Sequence, residues 1–133
     1  DGKTESLSEH KGKIIMIQFT ASWCGVCRKE MPHIEERIWK RFSGNPNFML
    51  IGVDYKEDKE TTEKFSRDMN ITYPLTLDKE GERFSLFCGP DAGVTRNIIV
   101  APDGKIIMLT RLFEEEEFNE MVELIASELN KIS

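Results

Sequence analysis

Residues 13–19, KIIMIQF, are apolar at nearly every position, and the chain then runs through FTASWCGVCRKEMP, which carries two cysteines three positions apart. An alternating strand covers one face of a sheet; a short unbroken apolar run suits a strand covered on both. Such strands belong to parallel sheets, whose neighbours are joined by crossovers, usually helices. This one feature points to an α/β architecture and sets Cys24 and Cys27 at a strand-to-helix junction.

The rest of the pattern agrees. Beyond the cysteines, Met31, Ile34, Ile38 and Phe42 recur on one side of a helix, which Ser43, Gly44, Asn45 and Pro46 end. Residues 47–54, NFMLIGVD, form a second buried strand. Residues 58–70 form a mostly solvated helix with Phe65 and Met69 inward. Residues 72–78, TYPLTLD, are a short extended piece that Pro74 keeps off a central ladder position. A short helix is expected over 82–88. Residues 97–101 and 105–110 flank a Pro-Asp-Gly turn as a hairpin. The terminal helix, 114–131, sets Phe118, Met121, Val122, Ile125 and Leu129 at helical spacing. The order β-α-β-α-(β)-α-β-β-α gives a central mixed sheet flanked by helices, with right-handed crossovers and an antiparallel late hairpin. No repeat or linker divides the 133 residues, so 1–133 is expected to be one domain.

Composition excludes several functions. The net charge is −6 with no basic cluster, which argues against a nucleic-acid partner. No apolar run approaches the ~18 residues of a membrane-spanning helix. A chain of this size folds without metal or disulfide staples. Residues 1–12 are a polar leading segment. The sequence opens at Asp1 and not at methionine, the form expected of a trimmed or mature chain. Of three cysteines, one is left without an internal partner.

A pair such as Cys24 and Cys27 can ligate metal, staple a loop or exchange disulfides. Zinc takes four ligands, and the only histidines are His10 and His33; His33 lies almost two helical turns past Cys27. A purely structural Cys24–Cys27 bond closes a trivial loop and stabilises little. Disulfide exchange fits best, because C-x-x-C at this junction is specific. A helix starting near Cys24 would aim free N–H groups and the positive end of its dipole at that sulfur. Bringing a thiol pKa from ~8.5 to ~7 takes about 2 kcal/mol. The dipole supplies ~0.3–1 kcal/mol, so a hydrogen bond to the sulfur must supply the remainder. Cys24 would attack a substrate disulfide, and Cys27 would resolve the mixed disulfide.

The run FTASWCGVC after a buried strand resembles the W-C-x-x-C of the thioredoxin superfamily, and Pro32 coincides with the proline inside that family's first long helix. The resemblance continues through GVDYKED, YPLTLD, NIIVAPDGKII and the terminal helix. In detail it is to the extracytoplasmic TlpA/ResA-like branch, of which the 58–70 helix and YPLTLD are the characteristic insert. It implies a thioredoxin-like fold, thiol–disulfide exchange with protein substrates, Cys24 as nucleophile and Cys27 as resolving thiol. It also implies Trp23 as a substrate-facing ring, a protein dithiol as electron donor and a location in the bacterial cell envelope. A membrane tether would lie outside this sequence. No cofactor or metal is implied, and the chain is expected to act as a monomer.

Three departures accompany the resemblance. Gln18 stands where thioredoxin has a buried aspartate. The branch's buried glutamate after the second long strand corresponds to Glu57, which the resemblance makes catalytic; the alternative is an exposed loop carboxylate among Lys56, Asp58 and Lys59. Buried against Cys27, Glu57 would have a raised pKa suited to proton transfer. Gly25 and Val26 separate the cysteines without the proline common in reducing members. Finally, Thr95 replaces the family's cis-proline. A cis bond costs ~2.5–4 kcal/mol before threonine against ~0.5–1 before proline, so a trans Val94–Thr95 peptide is expected, still offering the Val94 backbone to substrate.

Other features have plain readings. Cys88 is expected to be a buried hydrophobe, Glu114–Glu117 a helix's acidic first turn, and Arg28 and Lys29 a solvated face. The chain is thus expected to reduce protein disulfides. A thiol peroxidase would need a proline and a threonine ahead of its cysteine, the threonine three residues before. Thr20 is four before Cys24, and no proline precedes it. A binding or chaperone module with incidental thiols is the other alternative.

Overall fold

In the computed structural model, which describes residues 12–78, 80–81 and 96–132, the first strand, β1 (Ile14–Thr20), is buried at all seven positions. It pairs in parallel with β2 (Phe48–Tyr55) and antiparallel with β4 (Arg96–Val100). Outside these lie β3 (Leu75–Asp78), parallel to β2, and β5 (Ile106–Arg111), antiparallel to β4. The strand order is β3-β2-β1-β4-β5. Pro74 precedes the edge strand β3, and its carbonyl accepts the Gly52 N–H at 2.9 Å.

The period-2 geometry of strands sorts the side chains to two faces. Ile14 and Met16 of β1, Phe48 and Leu50 of β2 and Ile99 of β4 meet the helices α1 (Gly25–Ile34), α2 (Lys59–Asp68) and α3 (Glu115–Ile132). Met31, Ile34, Phe65, Phe118, Met121, Val122, Ile125 and Leu129 fill that side, the residues whose helical spacing marks them as core. Ile15, Ile17, Phe19, Val53, Ile98 and Val100 form a smaller cluster on the other face, which both cysteines join.

The sequence suggests one continuous helix after Cys24. The structure instead widens it: α1 passes into a π-helical turn (Glu35–Trp39) and then a last α-helical turn (Lys40–Phe42). Pro32 inside α1 has no N–H to give to the turn before it. Three residues on, buried Glu35 accepts from the Thr72 N–H at 2.7 Å and its hydroxyl at 2.6 Å. The widened turn thus coincides with a tether to the segment leading into β3. α2 starts where Asp58 accepts the Thr61 N–H at 2.8 Å and is anchored by Phe65. The Pro-Asp-Gly turn closes with the Ala101 N–H on the Lys105 carbonyl at 2.8 Å, and Gly104 takes φ +90°. The expected 82–88 helix, Cys88, Val94 and Thr95 lie outside the described residues, as does most of the polar leading segment.

Gly52 has no room for a side chain. A Cβ there would strike the Leu75 side chain and stand 3.2 Å from the Pro74 carbonyl oxygen, separating β2 from β3. Gly52→Ala should therefore lower stability by about 1–3 kcal/mol in urea unfolding; an unchanged midpoint would contradict this packing.

Candidate active site

β1 hands the chain to the site through a tight turn. The Cys24 N–H returns to the Ala21 carbonyl at 3.1 Å, and Cys24, in extended conformation (φ −87°, ψ 106°), becomes the N-cap of α1. Its Sγ accepts the Cys27 N–H at 3.2 Å, taking the place of a capping oxygen. The N–H that the helix start was expected to aim at the sulfur is thus that of Cys27. The two cysteines form a disulfide with a Cα–Cα distance of 5.3 Å, within the ordinary range for such bonds. Cys24 is 8% exposed and Cys27 wholly buried, while Trp23 beside them is 64% exposed. Only Cys24 offers an approach from solvent, with a large apolar ring at its edge.

Under the amino end of α1 runs a belt of buried polar side chains. The parity that turns Ile14 and Met16 to the helices also turns Gln18 and Thr20 that way, with Asp54 of β2 and Asn97 of β4. Register places Gln18 opposite Asn97, and Thr20 opposite Asp54. Gln18 Oε1 accepts the Tyr73 hydroxyl at 2.8 Å. Asn97 Nδ2 donates to Glu30 Oε2 at 2.8 Å and to Thr110 Oγ1 at 3.1 Å. Glu30, one helical turn beyond Cys27, is 2% exposed. Burial pushes its carboxyl up to about 7; hydrogen bonding from Asn97 opposes the rise and the charge of Glu117 adds to it. Gln18 Nε2 lies within electrostatic reach of that carboxyl but makes no hydrogen bond of normal geometry.

Glu30 escaped the sequence reading, yet its signal was there. Cys27, Glu30, Met31, Ile34 and Ile38 sit at spacings of three and four, so a glutamate occupies the buried stripe. Glu57 reaches the turn before Cys24. It is half-buried in the loop after β2, and its carboxylate accepts from Ser22, through the backbone N–H at 2.7 Å and through the hydroxyl. Its pKa is lowered, not raised: burial pushes it up, but hydrogen bonds from Asp54 and from both donors of Ser22 outweigh that. The reason is that it faces the turn before Cys24 with donors in place, and is not isolated in an apolar pocket. Arg28, expected as a solvated residue, is exposed but grips the same turn from α1, with Nη1 2.8 Å from the Ser22 carbonyl. His33 stacks on Phe113 with ring centroids 4.9 Å apart. Among the described residues no three His, Cys, Asp or Glu side chains converge as metal ligands, and no helix is long and apolar enough to cross a membrane.

The sequence pattern of the AhpC/TSA family matches residues 1–108. The chain is 23% identical over 129 residues to the thiol-disulfide oxidoreductase ResA of Geobacillus thermodenitrificans, covering 94% of this chain and 70% of that protein. It is 27% identical over 110 residues to ResA of Bacillus cereus, covering 80% of this chain and 60% of that protein. The solution structure of a candidate protein disulfide isomerase from Bacteroides thetaiotaomicron superposes with a TM-score of 0.93 at 48% identity, covering 97% of this chain and 81% of that one. The fold is therefore thioredoxin-like, a mixed five-stranded sheet flanked by helices.

The Glu30 carboxyl makes stability depend on pH. With its pKa raised from 4.5 to about 7, the folded chain keeps a proton that the unfolded chain has lost between those values. Its contribution is full below about 4.5 and is lost as pH rises through about 7, at most about 3 kcal/mol. Glu30→Gln should remove that loss and be more stable than the parent at pH 8, with little difference at pH 4. Parallel pH profiles of urea unfolding for the two proteins would contradict the assignment.

Proposed function

We propose, on the premise that this chain belongs to the AhpC/TSA family, that it is a thiol–disulfide oxidoreductase that reduces protein disulfides through Cys24 and Cys27. The observation that carries this reading is the capping bond from the Cys27 N–H to Cys24 Sγ. A group that receives that bond at a helix N-terminus is better held as thiolate than as thiol.

In the reduced chain the Cys24 thiolate attacks one sulfur of a substrate disulfide. A Cys24–substrate bond forms, and the other substrate sulfur leaves as thiolate. Cys27 then gives up its proton and attacks Cys24 Sγ. The second substrate thiolate departs, so the substrate gains two electrons and takes up two protons while the Cys24–Cys27 disulfide closes. A protein dithiol of the envelope restores the pair by the reverse exchange. Glu30, buried one turn from Cys27 with a pKa near neutrality, is suited to take the Cys27 proton. This reading assigns substrate binding to Trp23, Val94 and Thr95, and an extracytoplasmic location belongs to it. A thiol peroxidase is not supported: the Thr20 hydroxyl donates to Met31 Sδ at 3.5 Å inside the core.

Reduction of insulin disulfides by the chain with dithiothreitol tests this. Cys24→Ser should abolish turnover, and Cys27→Ser should accumulate a mixed disulfide that excess thiol releases. Turnover that survives Cys24→Ser, or peroxide consumption exceeding disulfide reduction, would contradict it.

A further inference from the structure

The turn that presents Cys24 is held from beneath by groups to which thiol exchange itself assigns no task. Ser22 is fixed by three bonds: its N–H and hydroxyl go to the two oxygens of Glu57, and its carbonyl accepts from Arg28. Behind Glu57 lies Asp54, fully buried at the end of β2. Asp54 Oδ2 accepts the Thr62 hydroxyl at 2.6 Å. Asp54 Oδ1 is buried and accepts no hydrogen bond, and after burial each of the Asp54 and Glu57 carboxyls is the largest influence on the other's pKa. Two carboxylates in contact repel, so such a pair is stable when one proton lies between them. The oxygen of Asp54 that accepts nothing is the natural carrier of that proton, leaving both Glu57 oxygens ionised for Ser22.

We infer that Asp54 and Glu57 are a proton-sharing carboxyl pair that positions the Ser22–Trp23–Cys24 turn, so that the reactivity of Cys24 depends on two residues that never touch substrate. The inference rests on the exchange reading above and reassigns Glu57 from proton transfer to positioning. Burial and the Glu57 hydrogen bond both raise the Asp54 pKa, and the bonds to Asp54 and Ser22 lower that of Glu57 against its own burial, the asymmetry such sharing requires. The other charges at the pair are Asp58, from the Glu57 loop, and Arg28, which reaches it through the Ser22 carbonyl. β1 and β3 place Thr20 and Leu77 beside Asp54, and α2 places Thr62 there.

Charge and grip have opposite effects on the thiol. Removing a nearby negative charge alone would favour the Cys24 thiolate and speed its reactions. Loosening the turn would move the sulfur off the Cys27 N–H and slow them. The test is the alkylation rate of Cys24 by iodoacetamide in the reduced full chain, located by peptide mass, with the reduction potential of the Cys24–Cys27 pair and thermal unfolding measured alongside.

Glu57→Ala should slow alkylation at least about fivefold and shift the potential. Glu57→Gln keeps an acceptor for the Ser22 N–H and should stay within about twofold of the parent or react faster. Asp54→Asn reproduces the protonated partner and should also stay within about twofold, whereas Asp54→Ala should fall with Glu57→Ala. If Glu57→Ala does not fold, Ser22→Ala, which deletes only the hydroxyl bond, should still slow alkylation by about twofold or more. A folded Glu57→Ala, or in its stead Ser22→Ala, that reacts at the parent rate overturns the inference. So does a Glu57→Gln as slow as Glu57→Ala, or an Asp54→Asn as slow as Asp54→Ala. Insulin reduction by the parent is assayed in parallel. Its absence would sink the exchange reading while leaving the alkylation series to judge the pair.

Discussion

The site depends on β1 having no exposed side. Hydrogen-bonded neighbours occupy both its edges and apolar side chains cover both its faces. Each of its large apolar side chains contributes roughly 1.5–3 kcal/mol of burial, so the strand has one register and one end point. Because that end is fixed, the turn Ala21–Cys24 starts from a rigid base, and α1 can begin where a sulfur takes the place of a capping oxygen. Chemistry that needs one sulfur held against one N–H is thus placed on the most constrained element of the fold.

The same region carries the fold's main local cost. Gln18 Nε2, Glu30 Oε1 and Asn97 Oδ1 are buried without a partner among the described residues, and all three belong to the belt beneath α1. An unsatisfied buried polar atom costs about 1–3 kcal/mol, and an apolar belt would pack without that penalty. A carboxyl kept from water and short of donors holds its proton near neutral pH, a property that an apolar core cannot supply. Strain of this kind, gathered at one end of an otherwise apolar sheet, is what a proton-handling site requires and a merely structural core does not.

Much of this is readable from the chain because it rests on local pattern. The unbroken apolar run of 13–19, the C-x-x-C behind it, the Pro-Asp-Gly turn and the stripe through Met31, Ile34 and Ile38 each act over a few residues. What escaped depends on tertiary contact. Glu30 is visible as a charge within the apolar stripe, but only Asn97, sixty-seven positions away, shows what it faces. Glu57 was picked out as a functional carboxylate from its place after β2. Its partners, Ser22 and Asp54, are brought to it by strand pairing, and they reverse the direction of its pKa. The π-helical turn coincides with the Glu35–Thr72 tether, a contact over thirty-seven positions. Arg28 has the composition of a solvated face, and its bond to Ser22 is set by the geometry of a single turn.

The central claim is that the backbone at the start of α1 holds Cys24 Sγ as a thiolate. Titration of the reduced protein, following thiolate absorbance and assigning the midpoint with a Cys24→Ser control, measures this directly. The account predicts a Cys24 midpoint well below the ~8.5 of a free cysteine. A midpoint at or above that value would show that the capping bond does not activate this sulfur, and the exchange chemistry built on it would not stand.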